Sequence, residues 1–307
     1  MSSTSSSKVS SLCANCGKGE EAGIKLKTCT ACKLVKYCSR DCQIAHRPQH
    51  KKACKKKVKE LHEEKLFKQP PPDEDCPICM IRLPLLIAAR TYMSCCGKVI
   101  CSGCIHVVHS THRSKDLPLC PFCRVPNPTT DEELMRLFQK RMELNDTTAI
   151  CDMGCMYEEG NGLPQNRAKA LELWHKAGEL GCTRAYYNIG IAYKFGRGVE
   201  RNEKKAIHCF ELAAMRGHTM ARHNLGATEA RLGNLDRALK HYMISARCGC
   251  ADSLNTIKLM YKHGDATKND HDKAIKAYQA YLDEVKSDQR DEAAAFRDEY
   301  IYHESAS

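Results

Sequence analysis

Aromatic side chains are scarce in this chain, with phenylalanine, tryptophan and tyrosine together making 6% of its 307 residues and tryptophan occurring once. One large conventional core needs more such bulk, so several small modules are expected instead. No apolar run approaches the ~18 residues of a membrane span, the longest candidate being LPLLIAA at 83–89. The Ser/Thr-rich opening MSSTSSSKVSS lacks the apolar stretch of a secretory signal. No Gly-rich loop is present to cradle phosphates. These absences argue against a secreted, membrane-spanning or nucleotide-driven protein, and a reducing cytoplasmic or nuclear location fits.

Cysteine is abundant, with 21 residues, and so is positive charge, with a formal net of +11. The charge is local. Residues 1–70 hold 16 Lys/Arg against 6 Asp/Glu, a net of +10. In a reducing compartment clustered thiols read as metal ligands rather than disulfides. A Cys-x-x-Cys hook lets two sulfurs of one tight turn reach one metal at about 2.3 Å, so pairing matters more than number. Eight candidate ligands fall early in four pairs: Cys13 with Cys16, Cys29 with Cys32, Cys38 with Cys42, and His50 with Cys54. Eight more follow: Cys76 with Cys79, Cys95 with Cys96, Cys101 with Cys104, and Cys120 with Cys123. If these 15 cysteines bind four zinc ions as thiolates, −15 and +8 are added and the net falls from +11 to +4.

The order and spacing in KYCSRDCQIAHRPQHKKAC, with the two hooks before it, resemble a MYND zinc finger over residues 12–54. The resemblance implies that Cys13, Cys16, Cys38 and Cys42 share one zinc, while Cys29, Cys32, His50 and Cys54 share the other. Many members carry a tryptophan lining a peptide groove where this chain has Arg47. His46 is a second histidine in the finger, read either as an exposed helix residue or as a competing ligand. The basic run of Lys51, Lys52, Lys55, Lys56, Lys57 and Lys59 continues a helix into ELHEEKLF. It reads as a solvated face paired with Glu60, Glu63 and Glu64, as a nuclear-localisation patch, or as a phosphate-binding strip. Without interleaved aromatics or base-reading side chains, sequence-specific nucleic-acid recognition is not expected. Residues 55–73 form this basic helix and a linker stiffened by Pro70, Pro71 and Pro72, and 1–11 read as a disordered tail.

The interleaved pairs in 74–125 resemble a RING-type finger in its rarer all-cysteine form, since Lys98 stands where most members have histidine. The resemblance implies one zinc on Cys76, Cys79, Cys101 and Cys104 and another on Cys95, Cys96, Cys120 and Cys123. His106, His109 and His112 are alternative ligands should the adjacent pair Cys95 and Cys96 not serve together. Family members that act as ubiquitin ligases hold a charged conjugating enzyme through positions that fall here on Ile78, Val108, Pro121, Phe122 and Arg124. Arginine suits the last position, because its planar fork donates several hydrogen bonds at once.

Beyond Pro126 and Pro128 a helical period takes over, and Thr130 followed by Glu133 predicts a capping box on the next helix. Residues 149–182, 185–218, 221–250 and 253–284 align with one another inside 131–285. Ala149/Ala185, Met153/Ile189, Gly154/Gly190 and Tyr157/Tyr193 occupy matching offsets. Second helices begin near Ala170, Ala206, Ala238 and Ala274, and a four-residue deletion between the helices shortens the third copy. The pattern A-x-x-x-L-G-x-x-Y with a later K-A-x-x-x-aromatic resembles Sel-one-like repeats, relatives of the tetratricopeptide repeat. Cys151, Cys155, Cys182, Cys209, Cys248 and Cys250 read as small apolar core side chains, and 286–307 as a C-terminal helix or tail. The expected fold is multidomain: two zinc-stabilised cross-brace modules followed by an all-α solenoid.

Zinc closed by four protein ligands leaves no open position for water, so no catalytic residue is assigned. The expected function is a zinc-binding protein-interaction adaptor, of ubiquitin ligase type if the RING resemblance extends to activity, with a substrate held by the repeats. A non-enzymatic scaffold and a nucleic-acid-binding regulator are the alternatives.

Overall fold

The computed structural model describes residues 12–20, 24–70, 74–111 and 119–303. The expected tail at 1–11, Pro71, Pro72 and His112 therefore lie outside the described residues. The chain divides into two compact units, Met1–Lys68 and Gln69–Ser307.

In the first unit, strands β1 (Lys27–Thr28) and β2 (Lys36–Tyr37) pair antiparallel, with Lys27 opposite Tyr37. Helix α1 (Arg40–Leu66) follows, started by the Ser39 hydroxyl, which accepts from the Cys42 N–H. Its length matches the expected continuation of the finger into the basic run, and Lys57 pairs with Glu60 at 3.2 Å. The buried core is Cys13, Leu26, Cys29, Cys32 and Tyr37. So few apolar groups bury too little surface to hold a fold alone, which leaves metal as its main source of cohesion.

The second unit begins with another cysteine-rich module. Strands β3 (Arg90–Met93) and β4 (Lys98–Cys101) pair antiparallel, Arg90 opposite Cys101 and Met93 opposite Lys98, and lead into α2 (Ser102–Thr111). Helix α3 (Asp131–Glu143) opens on Thr130, whose hydroxyl accepts from the Glu133 N–H. The returning half of the predicted box is displaced by one residue, because the Glu133 carboxylate accepts from the N–H and hydroxyl of Thr129.

The remaining helices are α4 (Thr147–Glu159), α5 (Arg167–Glu179), α6 (Thr183–Phe195) and α7 (Glu203–Met215). They continue with α8 (Thr219–Arg231), α9 (Leu235–Arg247), α10 (Ala251–His263), α11 (Lys268–Val285) and α12 (Asp288–Phe296). From α4 to α11 they pack as four successive pairs. Each first helix in three of these pairs carries a glycine against an aromatic ring of its partner. A Cβ on Gly190 would stand 2.5 Å from the Phe210 ring, and Gly154 with Trp174 and Gly226 with Tyr242 repeat the contact. Close approach of backbone to ring is thus the physical reason for the A-x-x-x-L-G period. The third pair is joined by residues 232–234, whereas 160–166 and 196–202 join the first two, which accounts for the four-residue offset. The fourth returns to register by lengthening a helix: α5, α7 and α9 start three residues before Ala170, Ala206 and Ala238, but α11 starts six before Ala274.

The cysteine-rich module packs against both ends of this array. At the first end, Tyr92 on β3 stacks on Phe138 with ring centroids 5.9 Å apart, and its hydroxyl donates to Asp146 Oδ2 at 2.8 Å. Asp146 is also the N-cap of α4, its Oδ1 accepting from the N–H groups of Thr148 and Ala149. At the far end the Leu85 N–H donates to Tyr281 Oη at 2.7 Å, and Ala89, Tyr281, Val285 and Tyr302 share one buried cluster. The apolar run at 83–89 divides its contacts, Leu83 packing among the module's own cysteines while Leu85, Leu86 and Ala89 pack with Tyr281 and Val285.

Candidate metal centres

Four cysteine-containing turns repeat one backbone design. The N–H of the residue four places after the first cysteine donates to that cysteine's carbonyl: Gly17 to Cys13, Lys33 to Cys29, Met80 to Cys76 and Arg124 to Cys120. Those four residues are all left-handed, with φ of 72°, 58°, 57° and 63°. The turn points two thiols to the same side, as a shared ligand requires.

The hooks converge in four sets, in each of which the donor atoms lie within 4.8 Å of one another. The sets are Cys13, Cys16, Cys38, Cys42; Cys29, Cys32, His50, Cys54; Cys76, Cys79, Cys101, Cys104; and Cys95, Cys96, Cys120, Cys123. These are the interleaved groupings that both family resemblances imply. Four sulfurs about 2.3 Å from a tetrahedral zinc stand about 3.8 Å apart along each edge. The observed separations are 3.5 Å for Cys16 to Cys38, 3.9 Å for Cys76 to Cys104, 3.8 Å for Cys79 to Cys101 and 3.8 Å for Cys96 to Cys120. Cys32 Sγ stands 3.2 Å from His50 Nε2, shorter as a nitrogen ligand demands. None of the 21 cysteines is in a disulfide. Adjacent Cys95 and Cys96 both face their set, with Cys95 3.4 Å from Cys123.

Electrostatics argues for a cation at these places. Burial, followed by hydrogen bonding with Cys32, pushes the Cys54 thiol up to about 11. Hydrogen bonding with Cys101, Cys76 and Cys79 drives Cys104 far above the usual thiol range. Their partners move the other way, Cys29 and Cys101 each lowered to about 6, so without a metal one thiolate in a set is stabilised by neighbours that keep their protons, and three or four thiolates so close ionise together only when a divalent ion supplies opposite charge. Each set is complete with four protein donors, so it has the closed geometry of a structural site.

The alternative ligands stand elsewhere. His46, read either as an exposed helix residue or as a competing ligand, is half-buried, hydrogen-bonded through Nδ1 to Tyr37 Oη at 3.1 Å and stacked on His50. His106 packs against Phe296 with centroids 4.9 Å apart, and burial lowers the His109 pKa, reinforced by Arg297. Of the positions expected to meet a conjugating enzyme, Ile78 is 41% and Phe122 44% exposed, Arg124 is exposed, Val108 is half-buried and Pro121 is buried. Lys98, at the position of the usual histidine, reaches over the Phe122 ring, 5.7 Å from its centroid. In α1, Ile44 and Val58 are exposed beside Arg40, Arg47, Lys51, Lys55 and Lys59, lining with Tyr37 and His50 a groove of about 880 Å³.

Residues that sequence reasoning did not single out also shape the second module. Arg290, in a stretch whose charges suggest a solvated helix, is fully buried. It donates from Nη1 to the carbonyls of Arg82 at 2.8 Å and Val285 at 2.6 Å, and from Nη2 to that of Ile81 at 3.2 Å. Tyr92, Asp146 and Tyr281 carry no local signal either, since their roles come from partners far along the chain.

The chain thus consists of two cysteine-rich modules with the donor geometry of metal sites, followed by an all-α array of helix pairs. Residues 13–54 match the MYND finger family, and 147–182, 183–218 and 259–279 match the Sel1 repeat. Among solved structures, a Sel1 repeat protein from Oxalobacter formigenes is 26% identical with a TM-score of 0.45, over 49% of this chain and 64% of its own. A protective antigen of uropathogenic Escherichia coli displaying an SLR fold is 24% identical with a TM-score of 0.44, over 56% of this chain and 38% of its own. An immunity protein from Pseudomonas aeruginosa is 19% identical with a TM-score of 0.38, over 63% and 67%. Among the described residues no helix is long and apolar enough to cross a membrane.

Proposed function

We propose that residues 74–125 form a RING-type finger, that the chain carries four zinc ions in its two modules, and that it acts as a ubiquitin ligase. The metal ions fold the modules and enter no chemical step. The second module holds a conjugating enzyme charged with ubiquitin, and proximity and orientation do the rest. The observation that carries this reading is the pairing within 76–123, first hook with third and second with fourth, at separations of 3.4–3.9 Å. The exposure of Ile78, Phe122 and Arg124 agrees with it, because a docking surface must stay clear of the chain's own packing. The first finger and the repeats recruit partners. Its groove, with Ile44 and Val58 between basic side chains, suits an acidic peptide with apolar anchors.

Purified wild type is expected to build ubiquitin chains on itself with activating enzyme and a panel of conjugating enzymes, and Ile78→Ala to lose that activity. Silence from wild type across the panel sinks the ligase reading. One observation favours a non-enzymatic scaffold: the second module is packed into the repeats through Tyr92, Leu85 and Arg290 as a structural part. Partner capture that persists in Ile78→Ala, with no transfer by wild type, would establish that alternative.

A further inference from the structure

The last helix reaches back some two hundred residues to touch one metal centre of the second module. Besides its three carbonyl acceptors, Arg290 Nη2 lies 3.9 Å from Cys79 Sγ. The neighbouring Gln289 side-chain oxygen Oε1 lies 3.9 Å from Cys104 Sγ, accepting from the thiol. Two ligands of the same set, from its two hooks, are thus contacted by consecutive residues of α12. The seat is tight: a Cβ on Gly103, between Cys101 and Cys104, would stand 2.9 Å from the Arg290 backbone nitrogen and 3.0 Å from the Gln289 carbonyl carbon. Ser287 starts α12, its Oγ accepting from the Arg290 N–H at 3.3 Å, and Tyr302 Oη donates to Asp291, tying the C-terminal residues back to the helix.

We propose that α12 is a retention clamp for the metal held by Cys76, Cys79, Cys101 and Cys104, with Arg290 as its positioning residue. The inference rests on zinc occupying that set. Four thiolates around one divalent ion carry a net charge of −2, and a buried guanidinium beside one sulfur offsets part of it. The same side chain, bonded to the carbonyls of Ile81 and Arg82, fixes the chain leaving the Cys76 hook. Outer contacts of this kind hold ligands in orientation and are worth about ten- to a hundredfold in metal affinity. The repeats and the metal centre become mutually dependent, since α12 continues directly from α11, the last helix of the array.

The test uses the full zinc-loaded chain, challenged with a chelator and iodoacetamide, with alkylation mapped residue by residue by mass spectrometry. Arg290→Gln, which keeps amide donors but removes the charge, is expected to label Cys79 and Cys101 about tenfold faster or more. Cys95, Cys120 and Cys123 in the same module should keep their wild-type rates. Gly103→Ala, which pushes α12 off its seat while raising helix propensity, should reproduce that selective loss. Equal acceleration at both sets, or at neither, overturns the clamp, because general loosening of the fold exposes both. Labelling of both sets in wild type before chelator is added would instead overturn zinc binding by the module, and the clamp with it.

Discussion

Replacing Arg124 with glycine separates what this residue does for the fold from the partner contact proposed for it. The residue closes the Cys120 hook with φ +63°, its N–H donating to the Cys120 carbonyl at 3.0 Å, and its side chain is exposed. Holding a residue with a Cβ in the left-handed region costs roughly 1–2 kcal/mol. Glycine removes that cost but gives back about 0.5–1 kcal/mol in unfolded-state entropy. The net expectation is a gain of about 0.5–1 kcal/mol, or a rise in Tm of roughly 1–4 °C for a unit of this size. The equivalent residue in the first hook, Gly17 at φ +72°, is already glycine, so the turn accepts the change. Ubiquitin transfer should fall at the same time. Charge-assisted hydrogen bonds to a partner are worth about 1.5–3 kcal/mol, which corresponds to roughly a ten- to hundredfold loss. The assays are thermal denaturation of the zinc-loaded variant and self-ubiquitination in parallel. A Tm lowered by several degrees would refute the backbone argument, and undiminished transfer would refute the role given to the side chain.

Asp146 gives a second test, as it joins the module to the repeats. Burial opposes its ionisation, but Arg141 and then Tyr92 hold its carboxyl below the ordinary value, so its contribution is complete at pH 7 and lost only as pH falls through that lowered value. A cycle of Asp146→Asn and Tyr92→Phe at pH 7 should yield a coupling of about 1 kcal/mol in denaturant unfolding, and additive effects would contradict the contact. Gly190→Ala forces a methyl against Phe210 and should cost about 1–3 kcal/mol; an unchanged denaturation midpoint would contradict the glycine–ring packing. Stripping metal should abolish the dispersed amide signals of 12–38 while leaving far-ultraviolet helical ellipticity from α4 to α11 largely intact.

Local features were readable in the chain because their causes are local. Hooks such as Cys29-x-x-Cys32 fix their own turn, and the Gly190 period reports a ring one helix away. The four-residue slip in the third repeat was visible for the same reason, since removing loop residues shifts every later side chain by a countable amount. How α11 restored the register was not visible, because a loop of four residues with a longer helix spans the same offset as a loop of seven. Long-range packing left no such mark. Leu85 and Ala89 read as part of an isolated apolar run until Tyr281 is placed beside them, and Arg290 in DQRDEAAAF is indistinguishable from a solvated charge. The setting of His46 is not legible because its partner Tyr37 lies across the finger rather than along the helix.

The most direct measurement is native mass spectrometry of the chain purified under reducing conditions, with zinc counted per molecule. Four interleaved sets predict four zinc ions on the intact chain, falling to three in a variant such as Cys104→Ser that breaks one set. A compact, fully folded chain carrying two ions or none would contradict the account.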